Sequence, residues 1–171
     1  MQEAEEVVEL GDGTRALIRP IAPEDRERLI EGFESASAES TFMRFLTPQP
    51  RLSGSQLDYL TVVDHLGHEA LIAVDPETGR SFGTARYIRD HEHPETAEFA
   101  VGVGDRWMNI GLGTALLGTL VIRARQAGVV RFTGLIHNEN VAIRRLVARV
   151  VGTYEARPVG DGTVELTFDL R

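Results

Sequence analysis

Gly104-Asp105-Arg106-Trp107-Met108-Asn109-Ile110-Gly111-Leu112-Gly113-Thr114 is the stretch that decides the fold. It joins an apolar run typical of a strand, 99–103, to a long run with helical spacing, 112–127. A glycine-rich turn that leads into a helix leaves several backbone N–H groups unpaired and pointing the same way. Gly111 and Gly113 keep Cβ atoms out of that space. The stretch therefore predicts a phosphate-binding cradle at the positive end of a helix dipole.

The runs on either side of this stretch predict the order of elements. Hairpins are indicated at both ends of the chain, around Gly11-Asp12-Gly13 and Gly160-Asp161-Gly162. Gly128 is expected to be the C-cap of the central helix. We predict a single α/β domain over residues 1–171, with a mixed, mostly antiparallel sheet of about seven strands flanked by helices. In chain order the predicted elements are strands 6–10 and 14–21, helices from 23, at 41–46 and at 55–63, strands 69–74, 82–89 and 96–103, helix 112–127, strand 129–136, helix 140–150, and strands 152–158 and 164–170.

Composition limits the class of protein. A chain of 171 residues with 42% hydrophobic and 26% charged residues is typical of one soluble globular domain. No apolar run approaches the ~20 residues that span a bilayer, and the acidic residues 1–6 are neither a secretory signal nor a transit peptide. The absence of cysteine excludes disulfides and thiolate metal sites. We therefore expect a cytoplasmic protein that does not act at a membrane.

Charge limits the partners. A net charge of −8 argues against a general nucleic-acid binder and leaves room for amines or lysine-bearing proteins. All 18 basic residues are arginine, so an enzyme that modifies lysine has no lysine of its own to modify. His91 and His93 lie two positions apart on a polar loop without an obvious third ligand, so we predict no metal site.

The central turn resembles the signature of the GNAT family of acyl-CoA-dependent N-acyltransferases. That signature is Gln or Arg, two residues, Gly, one residue, then Gly or Ala; both glycines match at 111 and 113, and Met108 stands at the Gln/Arg position. The segment 8–25 and Met43-Arg44-Phe45 resemble the bacterial protein-lysine acetyltransferase branch. The resemblance implies a GNAT fold, acetyl-CoA as co-substrate and an amine acceptor. By the branch resemblance that acceptor would be a lysine of an acyl-CoA synthetase or of another protein, and a small amine is the alternative.

Glu98 is the candidate general base. Strand alternation places it on a face of small residues, opposite the apolar face formed by Ala97, Phe99, Val101 and Val103. A lone carboxylate there is unfavourable unless it is paired or takes part in chemistry. A partly desolvated Glu would accept the proton of an incoming amine, and Glu98 matches the catalytic Glu of the lysine acetyltransferase branch. The competing interpretation is an exposed strand end, or a pair with an arginine such as Arg86.

The resemblance also implies where coenzyme A binds. The backbone of Val101 and Val103 would pair with the pantetheine arm, and Asn140, a helix N-cap by sequence, would contact the same ligand. The pyrophosphate would lie at the turn and helix start, at Met108, Asn109, Gly111, Gly113 and Thr114.

Two departures from the family keep a second hypothesis open. In the turn, Met108 and Ile110 stand where relatives often have a polar side chain and a cation. Val147 stands where many relatives place a Tyr that protonates the leaving thiolate. A non-catalytic acyl-CoA-binding regulatory module would tolerate both changes. It would have no need of a carboxylate at Glu98, which favours the enzyme.

Overall fold

The computed structural model describes residues 5–46 and 51–171, apart from the side chains of Phe42 and Phe45. Residues 1–4, the first part of the acidic segment 1–6, lie outside the described residues. The strands are β1 (Glu6–Glu9), β2 (Arg15–Pro20), β3 (His68–Val74), β4 (Ser81–Arg89), β5 (Thr96–Val103), β6 (Arg131–His137), β7 (Glu155–Gly160) and β8 (Thr163–Asp169). The helices are α1 (Arg26–Ser35), α2 (Ala38–Phe45), α3 (Gly54–Thr61), α4 (Leu112–Gln126) and α5 (Val141–Val151), with short 3-10 turns at Pro23–Asp25 and Asp105–Trp107.

The strands form one mixed sheet. Their order is β1-β2-β3-β4-β5-β6-β8-β7, and neighbouring strands are antiparallel except for the parallel pair β5 and β6. The predicted α/β class with a mostly antiparallel sheet is confirmed. The sheet has 8 strands where the sequence predicted about seven, because the hairpins at both ends contribute both of their strands to it.

The two faces of the sheet carry separate hydrophobic cores. On one face, residues of α4 and α5 such as Leu116 and Val147 pack with Phe132 of β6. On the other face, Leu29 of α1 and Leu57 of α3 form a smaller core with strand residues. Alternate side chains of the central strands therefore point into different halves of the molecule.

Local sequence sets the helix ends. Ser53 and Gln56 form a capping box that begins α3, and the Asn140 side chain accepts a hydrogen bond of 3.2 Å from the Ile143 N–H, which confirms the predicted N-cap of α5. The end of α4 differs by one position: Ala127 is the C-cap, and Gly128 follows it with φ 86°. A left-handed glycine belongs just beyond the C-cap, where it satisfies the last helical carbonyls. In the part of the chain that the structure describes, no helix is long and apolar enough to cross a membrane.

Candidate active site

Strands β5 and β6 separate in the middle of the sheet. Beyond residues 98 and 133 they form no further pairs among the described residues, although β5 runs on to Val103 and β6 to His137. The result is a notch along which one backbone edge of residues 99–103 is left without a ladder partner. The parallel ladder consists of Thr96 with Arg131, Ala97 with Phe132, and Glu98 with Thr133.

The ring of Phe99 lies at the point of separation. Its Cε1 atom is 2.6 Å from the position that a Cβ atom of residue 134 would take, so only glycine fits at Gly134. Phe99 also packs edge-on against Phe168 of β8, with ring centroids 5.1 Å apart. The apolar face of β5 is therefore fixed in the larger core immediately beside the notch.

Glu98 is the last paired residue of β5 before the notch. Ala97 and Phe99 are buried, as the predicted alternation requires. Glu98 lies on the opposite face, and its side chain is exposed. The free protein therefore leaves Glu98 in contact with solvent, as in the exposed strand end of the competing interpretation, and the partial desolvation expected of a general base stays a prediction.

Two arginines lie over the face of β5 that carries Glu98. Arg86 of β4 is directly opposite Ala100. Arg44 of α2 crosses the strand at Gly102, where a Cβ atom would be 3.7 Å from the Arg44 Cδ atom. Burial lowers the pKa of Arg44, and the Glu98 carboxylate acts against that shift. The arginine that interacts with Glu98 is therefore Arg44 and not Arg86, which the competing interpretation had proposed.

Arg86 is held by neutral partners. It is 4% exposed, and its Nη1 group donates a hydrogen bond of 3.1 Å to the carbonyl of Leu60 in the last turn of α3. The same Nη1 lies 3.1 Å from Nε2 of His68. Burial, followed by the charge of Arg86, lowers the pKa of His68 to about 4, so the ring is neutral at pH 7. Burial and the nearby charge of Arg44 lower the pKa of Arg86 to about 9.

Sequence reasoning missed the roles of Arg44 and His68 in this arrangement. Arg44 comes from a helix far from β5 along the chain, and only its place in the segment Met43-Arg44-Phe45 singled it out. His68 begins β3, one position before the predicted strand, and gave no signal of its own.

The turn before α4 leaves the start of the helix uncapped. Asn109 and Gly111 both have left-handed backbones, with φ of 62° and 94°, and the N-cap Gly111 has no side-chain hydrogen bond to offer. The N–H groups at 112–114 precede the first bond of the helix, from the Ala115 N–H to the Gly111 carbonyl. The Thr114 hydroxyl is buried without a partner in the described residues. Apart from Gly111 itself and its neighbours in the chain, no heavy atom of the described residues lies within 4 Å of where a Gly111 Cβ would be.

The second glycine of the turn has a packing role. A Cβ atom on Gly113 would lie 3.3 Å from Leu146 Cδ2 and 3.7 Å from Val103 Cγ2. Glycine here lets α4, α5 and β5 approach one another closely. Met108 stands at the position where the resembled family usually has Gln or Arg. Its side chain is 41% exposed, so a longer side chain would fit at this position.

The turn is attached to two other parts of the molecule. The Ile110 carbonyl accepts a hydrogen bond of 2.8 Å from the Gly11 N–H, which joins the turn to the first hairpin. The Asp105 carboxylate accepts hydrogen bonds from the Ser40 hydroxyl and, at 2.9 Å, from the Ser37 N–H at the start of α2. These bonds, that of Ser40 foremost, lower the pKa of Asp105. The Asp105 carboxylate therefore connects the turn to α2, the helix that carries Arg44.

The start of α5 lies beyond the open end of β6. Val147 is 0% exposed and part of the larger core, so this position presents no group to a ligand. His137 ends β6, and its Nδ1 atom accepts a hydrogen bond of 3.3 Å from the Glu139 N–H. The Arg144 Nε atom is buried without a partner among the described residues.

A match to a known family covers most of the chain. The family model that is described as an acetyltransferase (GNAT) domain matches residues 15–151 of this chain. The matched segment includes β5, the notch, the turn and both helices beside it.

Named relatives agree with that match. The chain is 29% identical over 153 residues to acetyltransferase Pat of Mycolicibacterium smegmatis, covering 90% of this chain and 46% of that protein. It therefore spans about half of that relative's length. The crystal structure of the GNAT domain of S. lividans PAT superimposes with a TM-score of 0.88 at 32% identity, covering 96% of both chains.

A more distant structure shows the same fold. The putative acetyltransferase yncA of Salmonella typhimurium, solved with its cofactor acetyl-CoA, has a TM-score of 0.72 at 19% identity and covers 91% of this chain and 94% of its own. The family match and the S. lividans domain together settle the assignment. The chain belongs to the GNAT acetyltransferase family.

Proposed function

We propose that the chain transfers the acetyl group of acetyl-CoA to a lysine of a protein acceptor, with Glu98 as general base. The observation that carries the proposal is the separation of β5 and β6 immediately after Glu98. The separation opens a backbone edge between a carboxylate at one end and the uncapped start of α4 at the other. An extended, amide-bearing thioester with a phosphate tail has the chemistry that such a site would bind.

The residues present fit acetyl-CoA. The unpaired edge of β5 at Val101 and Val103 offers N–H and C=O groups to the pantetheine amides. The N–H groups at the start of α4 and the unpartnered Thr114 hydroxyl offer donors to the pyrophosphate. In this proposal Met108, Asn109, Gly111 and Gly113 line that cradle, and Asn140 lies beside the arm.

Glu98 acts on the acceptor amine. A lysine amine has a pKa near ~10 and arrives as an ammonium, which cannot attack a thioester until it loses a proton. Glu98 takes that proton directly or through water, which its exposed position allows. The free amine then attacks the thioester carbonyl, and a backbone N–H in the Val101 region stabilises the oxyanion.

The leaving thiolate takes its proton from water. The C–S bond of the thioester breaks as the C–N bond forms, which gives an acetylated amine and free coenzyme A. Val147 fills the family's general-acid position and is buried. A coenzyme A thiolate is a fairly good leaving group, so solvent suffices.

A protein acceptor is supported by charge and by resemblance. The net charge of −8 attracts lysine-rich surfaces, and the segments 8–25 and 43–45 resemble the lysine acetyltransferase branch. Helices α1 and α3 cover the face of the sheet that carries Glu98 and would wall the acceptor side. An acyl-CoA synthetase is one candidate acceptor.

Release of coenzyme A from acetyl-CoA tests the proposal, with lysine peptides and an acyl-CoA synthetase as acceptors. Because the chain has no lysine, every acetyl-lysine found by mass spectrometry belongs to the acceptor. We expect Glu98→Gln to lower kcat by about 10²- to 10⁴-fold while calorimetry gives an unchanged Kd for acetyl-CoA. The control is Glu95→Gln, which makes the same change at an exposed carboxylate three positions away.

Two outcomes would contradict the proposal. A wild-type rate in Glu98→Gln at neutral pH removes Glu98 as the base. Tight acetyl-CoA binding without release to any amine favours a non-catalytic acyl-CoA-binding regulatory module, for which the buried Val147 and the apolar Met108 are the supporting observations.

A further inference from the structure

Arg86 is a buried cation whose partners carry no negative charge. The Leu60 carbonyl and the neutral His68 ring, its hydrogen-bond partners in the described part of the chain, both face Nη1. The Nε group is fully buried and has no partner among the same residues. A buried guanidinium without an anion is unfavourable, so the arrangement indicates a missing anionic ligand.

The unused side of the guanidinium has the geometry of a carboxylate receptor. Nε and Nη2 form one edge of the planar fork, and two parallel N–H donors on that edge match the two oxygens of a carboxylate. Leu60 and His68 occupy the other corner at Nη1. A carboxylate on that edge would leave both existing partners in place, and the atoms that bury Nε would have to move aside to admit it.

Arg44 adds a second positive charge to the same face. It lies over Gly102, and its charge lowers the pKa of Arg86, so the two guanidinium groups interact. Glu98 is close enough to act on Arg44. Glu98 offsets the charge of Arg44 but is not among the charges that act on Arg86. An anion between the two arginines would reduce the repulsion between them.

The distance to the proposed base fits a compact acceptor. Arg86 is opposite Ala100, and Glu98 is two residues further along β5 on the same face. Diagonal neighbours of this kind have Cβ atoms about 7 Å apart. A carboxylate on Arg86 and an amine at Glu98 would therefore be close together in space within one acceptor.

We propose that Arg86 and Arg44 bind a carboxylate of the acceptor, so that the acetylated amine is one that carries a carboxylate close to it. This inference rests on the proposed acetyl transfer with Glu98 as base. The carboxylate has two possible sources, the α-carboxylate of a free amino acid and an acidic side chain beside the acceptor lysine of a protein. Because the chain has a net charge of −8, its long-range field does not favour such acceptors, and the preference must come from the local arginines.

Matched acceptors that differ only in the carboxylate test the proposal. One arm compares free α-amino acids with their carboxamides, and the other compares N-blocked peptides with one lysine beside Asp or beside Asn. With coenzyme A release as the readout, we expect kcat/KM to be about 10- to 100-fold higher for the carboxylate member of a pair in one arm. The arm that shows the difference identifies the source of the carboxylate.

Variants separate this site from the rest of the reaction. Arg86→Lys keeps the charge but loses the fork, and Arg44→Gln removes the second charge without touching the buried strand position. We expect both to raise the acceptor KM more for carboxylate acceptors than for their carboxamides and to leave the Kd for acetyl-CoA unchanged. Arg15→Gln, an exposed arginine of β2, is the control. If Arg86→Lys does not fold, Arg44→Gln and the wild-type comparison still decide.

Each result has one meaning. Equal kcat/KM for carboxylates and carboxamides in both arms, with acetylation proceeding, overturns the carboxylate site and leaves the proposed acetyl transfer intact. An unchanged preference in a folded Arg86→Lys variant likewise overturns it. No coenzyme A release with any acceptor overturns both proposals.

Discussion

At the scale of the residue, most positions of the proposed site carry the residue types that are usual in the family, and one does not. Glu98, Gly111 and Asn140 occupy the positions that sequence reasoning gave them, and the structure supplies a notch, a left-handed turn and an N-cap around them. Met108 is the unusual choice. Its side chain is exposed at the phosphate end of the proposed site, where relatives usually have a polar residue.

Replacing Met108 tests what that position contributes. Because the side chain is 41% exposed, a longer polar residue needs no repacking of the core. One charge-assisted hydrogen bond is worth about 1.5–3 kcal/mol, so we expect Met108→Arg to lower the Kd for acetyl-CoA by about 10- to 100-fold. Isothermal calorimetry measures it, with Met108→Leu as the control. An unchanged Kd for Met108→Arg would show that the phosphates lie elsewhere.

At the scale of the element, the notch depends on how two strands and two helices meet. Gly134 accommodates the ring of Phe99, and Gly113 accommodates Leu146, so each glycine permits a close contact between elements. Asp105 joins the turn before α4 to the start of α2. The cofactor side and the acceptor side of the proposed site are therefore mechanically connected.

Removal of the Asp105 link is expected to weaken acceptor binding. In Asp105→Ala the Ser37 N–H and the Ser40 hydroxyl lose their acceptor, so α2 and Arg44 are held less firmly over β5. We expect the acceptor KM to rise by about tenfold, which corresponds to the net value of one or two such hydrogen bonds. Steady-state kinetics measures it against Glu39→Ala on the exposed side of α2. A rise in the Kd for acetyl-CoA with an unchanged acceptor KM would contradict the expectation.

At the scale of the whole molecule, a neutral histidine links α3 to the sheet. His68 accepts from Arg86, which also donates to the end of α3. Burial lowers the pKa of His68 to about 4 in the folded chain, whereas an unfolded histidine titrates near ~6.5. Between these values the unfolded state binds the proton and the folded state does not. Stability is therefore complete above the unfolded pKa and is lost as pH falls toward the folded one.

Denaturation at two pH values measures this dependence. We expect the free energy of unfolding in urea to fall by about 1–2 kcal/mol between pH 7.5 and pH 5 because of His68. In His68→Gln, whose amide oxygen still accepts from Arg86, that part of the fall should disappear. His91→Gln in an exposed loop should keep it. The same fall in His68→Gln as in the wild type would assign the effect to other groups.

The sequence predicted most of the fold because the signals that define it are local. Alternation predicted β5 with its true bounds, and the spacing of apolar residues predicted α4 to within one residue. The glycine turn predicted the uncapped helix start, since left-handed backbone at Gly111 is encoded in the residue itself. The side-chain amide of Asn140 likewise determined the start of α5.

The electrostatic setting of the site was decided by the tertiary structure alone. Glu98 is exposed, and its exposure depends on which elements pack near that end of β5. Arg44 reaches this face from α2 and Arg86 reaches it from β4, and no local pattern relates residues so far apart in the chain. Backbone conformation and helix caps follow from neighbouring residues, whereas burial and charge contacts exist only once distant elements have packed together.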